Sequence, residues 1–184
     1  LIRAAAFKVI KLPKIIGLTG PSGSGKTEFS KIATEFGYKS IDCDKSARAV
    51  TEKGSPILEC LADCFGDDII LPDGSLDRRL LAGRAFSSEE NTEKLNKIML
   101  PAIVKVVKAQ IAELTNQGET RLILDAPTLF ESGLDAICDN VVSIVASTEL
   151  RRSRIIERDG LTDEQANARL AQELGIEKDN IDII

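Results

Sequence analysis

The sequence predicts an α/β domain in three layers, a parallel sheet covered by helices on both faces. Three observations carry this. Short apolar runs rich in β-branched residues recur at KIIGLT (14–19), YKSIDCD (38–44), RLILDA (121–126) and NVVSIVA (140–146). Helical patterns separate them, and alternating strands and helices argue for parallel strands buried on both faces. The first run passes directly into a glycine-rich turn, GPSGSGKT (20–27), which opens a helix. At 184 residues, one compact domain with small appendages is expected.

Residues 1–13, LIRAAAFKVIKLP, begin without methionine and precede the first strand, so they read as an extension or a fragment edge. Beyond the glycine-rich turn, Phe29, Ile32, Ala33 and Phe36 recur at three- and four-residue spacing and predict a helix from Gly25 to Phe36, stopped by Gly37. The second run predicts a strand over 38–44 that ends in two aspartates, Asp42 and Asp44. Helical patterns follow at 45–53 and 55–65; the turn signal LPDGSLD (71–77) then separates these from a helix starting near Asp77.

Leu95, Ile98, Met99, Ala102, Ile103, Val106, Val107, Ile111 and Leu114 form a long amphipathic stripe within 91–116. Pro101 interrupts it and is expected to bend or split the helix, because proline lacks an N–H and crowds the preceding turn. After the strands at 121–126 and 140–146, ELRRSRIIERDG predicts an arginine-rich helix on which Arg151, Arg154 and Arg158 share one face. The pair Thr162 and Gln165 predicts a capping box that opens one more helix.

Composition narrows the chemistry. The formal net charge is −5, an acidic balance that repels nucleic-acid backbones and anionic membranes, so neither is expected as a partner and no obligate protein partner is inferred. No apolar run is long enough to span a bilayer, and a cytoplasmic location is expected. The chain has no histidine, which removes Ser-His-Asp and Cys-His catalysis, histidine metal sites and histidine pH switches together. Its four cysteines, Cys43, Cys60, Cys64 and Cys138, form no CxxC pair and read as small hydrophobes rather than metal ligands. Carboxylates, lysine, arginine, hydroxyls and backbone amides remain to do the work.

GPSGSGKT fits G-x-x-x-x-G-K-[ST] in the context that motif requires, after a strand and at a helix start. Gly20, Gly23 and Gly25 let the backbone curl, so that the N–H groups of the loop, including Ser22 and Ser24, form a hollow for phosphate. Lys26 is placed to reach the β- and γ-phosphates of ATP, and the Thr27 hydroxyl to join the shell of a Mg²⁺ ion. Asp125, at the end of a buried-type strand, is the candidate carboxylate for that metal, although an aspartate there also suits a turn or helix cap. A GTPase is disfavoured: Asp63-Cys-Phe-Gly66 spells a switch motif, but Asn96-Lys97-Ile-Met lacks the aspartate that reads guanine. The arginine face at 151–158 suits a lid that meets phosphate, with a solvated ion-paired face as the plainer alternative.

These segments together resemble the dephospho-CoA kinase family. The resemblance runs from about Lys14 to about Gln172 through IIGLTGPSGSGKT, SIDCDKSARAV, FGDDIILPDGSLDRRLL, DAPTLFESGLD and RIIERDGLTDEQANARLAQ, in the family's order. It implies a three-layer P-loop kinase fold with a helical acceptor-binding insertion and a lid: core 14–54 and 119–148, insertion about 55–118, lid about 149–172, and a last strand at 180–184. It implies transfer of the ATP γ-phosphate to the 3′-hydroxyl of dephospho-CoA. On that reading Asp44 accepts the hydroxyl proton, Arg154 neutralises charge on the transferring phosphoryl group, and Arg158 grips ATP. Asp42, Arg78, Phe130 and Glu131 then fall at the acceptor cleft.

The sequence departs from the family in four places. Gly20-Pro21-Ser22-Gly23 stands for Gly-Gly-Ile-Gly, Leu100-Pro101 for a frequent His-Pro, and Thr128 for a leucine; the chain also ends before the family's final helix. A kinase for another small nucleotide or hydroxyl acceptor, or a module that binds ATP without transfer, remain the alternative readings.

Overall fold

The computed structural model describes residues 12–173. Four strands form one sheet in the order β2-β3-β1-β4: β1 (Lys14–Thr19), β2 (Lys39–Asp42), β3 (Arg121–Asp125) and β4 (Asn140–Ser143). All three pairings are parallel, as the alternation of strands and helices predicts. Seven α-helices accompany it among the described residues: α1 (Lys26–Glu35), α2 (Cys43–Val50), α3 (Ile57–Phe65), α4 (Arg78–Ala85), α5 (Glu89–Asn116), α6 (Thr148–Asp159) and α7 (Asp163–Glu173). The strand expected at 180–184 and most of the extension expected at 1–13 lie outside the described residues.

Three apolar clusters hold the chain together. Ile15, Ile41, Leu122 and Leu124 of the sheet pack with Ile103 and Val107 of α5 and with Leu129 and Leu134 beyond β3. A second cluster joins Leu61 and Phe65 of α3, Ile69, and Leu81 and Ala85 of α4 to Leu95 and Ile98 of α5. Met99 packs against both clusters, so α5 connects the sheet with α3 and α4. The third cluster, Ile155, Ala166 and Leu170, lies between α6 and α7. There Thr162 Oγ1 accepts from the Gln165 N–H and Gln165 Oε1 accepts from the Thr162 N–H, the reciprocal bonds of the predicted capping box.

The structure corrects several expectations. The second strand stops at Asp42, because the Asp42 carboxylate caps α2, accepting the Lys45 N–H at 3.0 Å. The helix expected at 45–53 therefore begins at Cys43 and ends at Val50, and Asp44 sits in its first turn rather than at a strand end. Pro101 does not split helix α5, which is continuous from Glu89 to Asn116. Proline forfeits one backbone hydrogen bond, but Leu95 and Ile98 on one side and Ile103 and Val107 on the other are anchored in separate clusters, which offsets that loss. Strand β4 ends at Ser143, so 144–146 belongs to the connection into α6.

The apolar stripe on α1 buries less than its spacing implies. None of its residues is fully buried, and Ile32 and Phe36 are 49% and 68% exposed. Short 3₁₀ turns at Asp67–Ile69 and Leu134–Ile137 carry no sequence period long enough to be read in advance. No helix among the described residues is long and apolar enough to cross a membrane.

Candidate active site

The register of the sheet sets the site. Leu18 of β1 pairs with Asp125 of β3, and Asp125 pairs in turn with Asp42 of β2. The C-terminal ends of the three strands thus deliver the glycine-rich loop and two carboxylates to one edge, where open α/β sheets bind ligands. Asp44 follows one short step into α2.

The loop leaves β1 at Thr19 and curls through Gly20, Gly23 and Gly25, whose φ angles are 133°, 76° and 117°. Conformation is only part of the requirement at the first two. A Cβ on Gly20 would stand 2.3 Å from the Ile144 carbonyl oxygen, and one on Gly23 would stand 2.7 Å from that of Arg151. The connection from β4 into α6 lies directly against the outside of the loop. Gly25 precedes α1 in a left-handed conformation, and Lys26 is the first residue of that helix.

Lys26 Nζ donates to the carbonyl oxygens of Gly20 and Pro21, which holds the ammonium over the loop. It also faces the carboxylates, since its charge acts on both Asp44 and Asp125. Both have pKa values above the ordinary aspartate value. Burial is the larger cause for each, with Asp42 adding to it, and Lys26 opposes the rise. Asp44 is nonetheless exposed to solvent. Cys43, held among Asp125, Asp42 and Asp44, has its thiol pushed up to about 12, mainly by burial and then by those carboxylates. A buried thiol in a negative field is no nucleophile.

A loop in which Gly20 and Gly23 have no room for a Cβ, at the start of a ten-residue helix, has the backbone geometry of a triphosphate cradle. Ser24 within it is 4% exposed, and its Oγ has no hydrogen-bond partner among the described residues, so the loop retains an unmet polar group. For Mg²⁺ the oxygen donors Thr27, exposed in the first turn of α1, and Asp125 suit a hard cation. No group of three or more metal-binding side chains occurs among the described residues.

The other predicted residues separate. Arg154 Nη1 donates to the carbonyl oxygens of Gly23 and Ser24, at 3.1 and 2.9 Å, and so lies on the loop's outer side. Arg158 is paired with Asp159, which also binds Arg169. Arg78 donates to the Arg48 carbonyl at 3.3 Å, tying α4 to the end of α2. Phe130 and Glu131 are exposed in the turn after β3. Arg151 stands out because the sequence placed it on the arginine face without assigning it a site role. It is only 8% exposed, and its Nε donates to the Ser22 carbonyl oxygen at 3.0 Å.

With this geometry in place, comparison with known proteins is decisive. The CoaE family model, dephospho-CoA kinase, matches residues 14–180. The chain belongs to the dephospho-CoA kinase family. A dephospho-CoA kinase of Corynebacterium glutamicum is 41% identical over 159 residues, covering 86% of this chain and 80% of the relative. One of Anaeromyxobacter dehalogenans is 37% identical over 165 residues, covering 90% and 78%. A solved Thermus thermophilus structure superposes with a TM-score of 0.75 at 30% identity, covering 88% of this chain and 81% of the other. For dephospho-CoA kinase from Campylobacter jejuni the TM-score is 0.55 at 22% identity, a likeness of fold. The members of this family are ATP-dependent kinases.

Proposed function

We propose that this chain is a dephospho-CoA kinase, transferring the γ-phosphate of ATP to the 3′-hydroxyl of dephospho-CoA. Membership of the family carries the reaction class. The observation that carries the assignment of roles is that the Lys26 ammonium, held over the loop by the Gly20 and Pro21 carbonyls, acts electrostatically on both Asp44 and Asp125.

The loop N–H groups and the positive end of α1 hold the triphosphate, and Lys26 supplies a point charge to its terminal oxygens. Thr27 and Asp125 would hold Mg²⁺, whose chemistry would be to offset the charge of the phosphates. Asp44 aligns the acceptor hydroxyl and takes its proton as the oxygen bonds to the γ-phosphorus. The bond from that phosphorus to the β,γ-bridging oxygen breaks, and ADP leaves with the electron pair. A raised carboxylate pKa suits this role, because a more basic carboxylate is a better proton acceptor. Arg154 screens the charge of the phosphates through its hold on the loop. Arg78, through the end of α2, together with Asp42, Phe130 and Glu131, shapes the acceptor side, while Arg158 meets ATP from the lid face.

The test is direct. Purified full chain with Mg²⁺-ATP and dephospho-CoA is expected to form CoA and ADP in equal amounts. ADP release with a nucleoside monophosphate but none with dephospho-CoA would assign a different acceptor. ATP binding without transfer to any acceptor would reduce the chain to a nucleotide-binding module.

A further inference from the structure

We infer that Arg151 is a positioning residue for ATP: it fixes the phosphate loop in its anion-accepting shape before nucleotide arrives and couples that shape to the lid helix α6. The inference rests on the kinase reading above and concerns a residue to which that reading assigns nothing.

Three successive loop carbonyls are held from outside. Arg151 binds that of Ser22 and Arg154 those of Gly23 and Ser24. In a planar trans peptide the N–H points away from the C=O of the same plane. Fixing the Ser22 and Ser24 carbonyls outward therefore turns the N–H groups of Gly23 and Gly25 inward. The Ser24 N–H is used within the loop, donating to the Pro21 carbonyl at 3.2 Å. The two guanidiniums thus determine where the loop's donors aim.

Arg151 is the more constrained of the pair. It is buried, and a charged group is buried at great cost unless acceptors surround it, so its orientation follows from the loop it touches. Its backbone is equally committed. A Cβ on Gly23 would stand 3.0 Å from the Arg151 Cα, so this turn of α6 and the loop are in van der Waals contact. The start of α6 is itself pinned, by Ser147 Oγ accepting from the Leu150 N–H and by the Ser147 carbonyl accepting from the Arg151 N–H. Any movement of α6 is therefore felt at Ser22 and Gly23.

The experiment uses the full chain carrying Arg151→Gln or Arg151→Lys. Losing a hydrogen bond to a charged group costs on the order of tenfold in binding. Arg151→Gln is expected to raise both the ATP dissociation constant and KM for ATP by about that factor or more, with KM for dephospho-CoA within about twofold. Arg151→Lys, which keeps the charge but loses the planar fork, should fall between. Amide exchange at residues 22–25 in nucleotide-free protein should accelerate in Arg151→Gln. Unchanged ATP affinity in both variants would overturn the inference, as would a fall in kcat and Tm with KM for ATP unaltered. If Arg151→Gln does not fold, the affinity and exchange rates of Arg151→Lys decide by the same criteria. Failure of the wild type to phosphorylate dephospho-CoA would sink the kinase reading instead, and the ATP dissociation constants would still judge Arg151.

Discussion

Asp42 and Asp125 are direct register partners on β2 and β3, which sets two carboxylates side by side at the strand ends, with Lys26 acting on Asp125. Their duties differ. Asp42 is committed to the backbone of α2 through its bond to the Lys45 N–H, whereas Asp125 interacts with Lys26 of the loop and is the carboxylate proposed for Mg²⁺.

That division predicts different responses to neutralisation. Asp125→Asn should raise the Mg²⁺ concentration needed for half-maximal CoA formation, and Thr27→Ala should do so to a smaller degree. Asp42→Asn should leave the Mg²⁺ requirement near that of the wild type, because an asparagine oxygen also caps a helix. Activity measured across a Mg²⁺ titration checks this. Equal Mg²⁺ dependence in Asp125→Asn and wild type would remove Asp125 from the metal site.

Asp44→Asn should cut turnover by roughly 10²- to 10⁴-fold, the usual contribution of a positioned base, while ATP affinity stays within a few-fold. The same substitution should not lower Tm at neutral pH. A carboxyl whose folded pKa lies above its unfolded value favours the neutral form in the native state, so its stabilising contribution is present in acid and is lost as pH rises through the folded pKa. At pH 7 Asp44 is a cost to stability that asparagine removes. In the wild type the acid limb of kcat/KM, which reports groups of the free enzyme, should accordingly fall at a pH above the ordinary aspartate range. A Tm loss in Asp44→Asn, or an acid limb at or below that range, would contradict this assignment.

Much of this site is legible in the sequence. The spacing of Gly20, Gly23, Gly25, Lys26 and Thr27 carries its own geometry, because a strand, a glycine turn and a helix can join in few ways. What escapes is tertiary. That Asp42 rather than Asp44 caps α2 depends on where the β2–β3 ladder ends, and the local pattern at 38–44 permits either. Arg151 and Arg154 share a helix face by periodicity, but which neighbour that face meets is decided by β4 lying beside β1, which brings α6 onto the loop. Similarly, the stripe at Phe29, Ile32 and Phe36 specifies a helix without specifying how much of it is covered.

Thiol labelling should divide the four cysteines in two. Cys60 and Cys64 are exposed on α3, while Cys43 is buried and Cys138 is half-buried. Burial, followed by Asp135 and Asp139, pushes the Cys138 thiol up to about 11, and the Cys43 thiol lies near 12. Since the thiolate is the reacting species, a disulfide reagent at pH 8 should modify two groups rapidly and two only as the protein unfolds. Four equal rates in native protein would contradict the packing around Cys43.

Two glycines should respond in opposite directions to alanine. Gly83 lies inside α4 with nothing within 4 Å of an added Cβ, so Gly83→Ala removes backbone entropy from the unfolded chain without creating a clash. It should stabilise the protein by about 0.5–1 kcal/mol, seen as a higher denaturant midpoint at unchanged slope, with ATP affinity unaltered. Gly23 has a φ of 76°, and an added Cβ meets the Arg151 backbone, which cannot withdraw as a flexible side-chain end would. Gly23→Ala must therefore push the loop and α6 apart. It should weaken ATP binding more than it lowers the midpoint, because the fault lies where the loop's donors are aimed; ATP affinity equal to that of Gly83→Ala would mean that the contact between Gly23 and Arg151 does not shape the donor site.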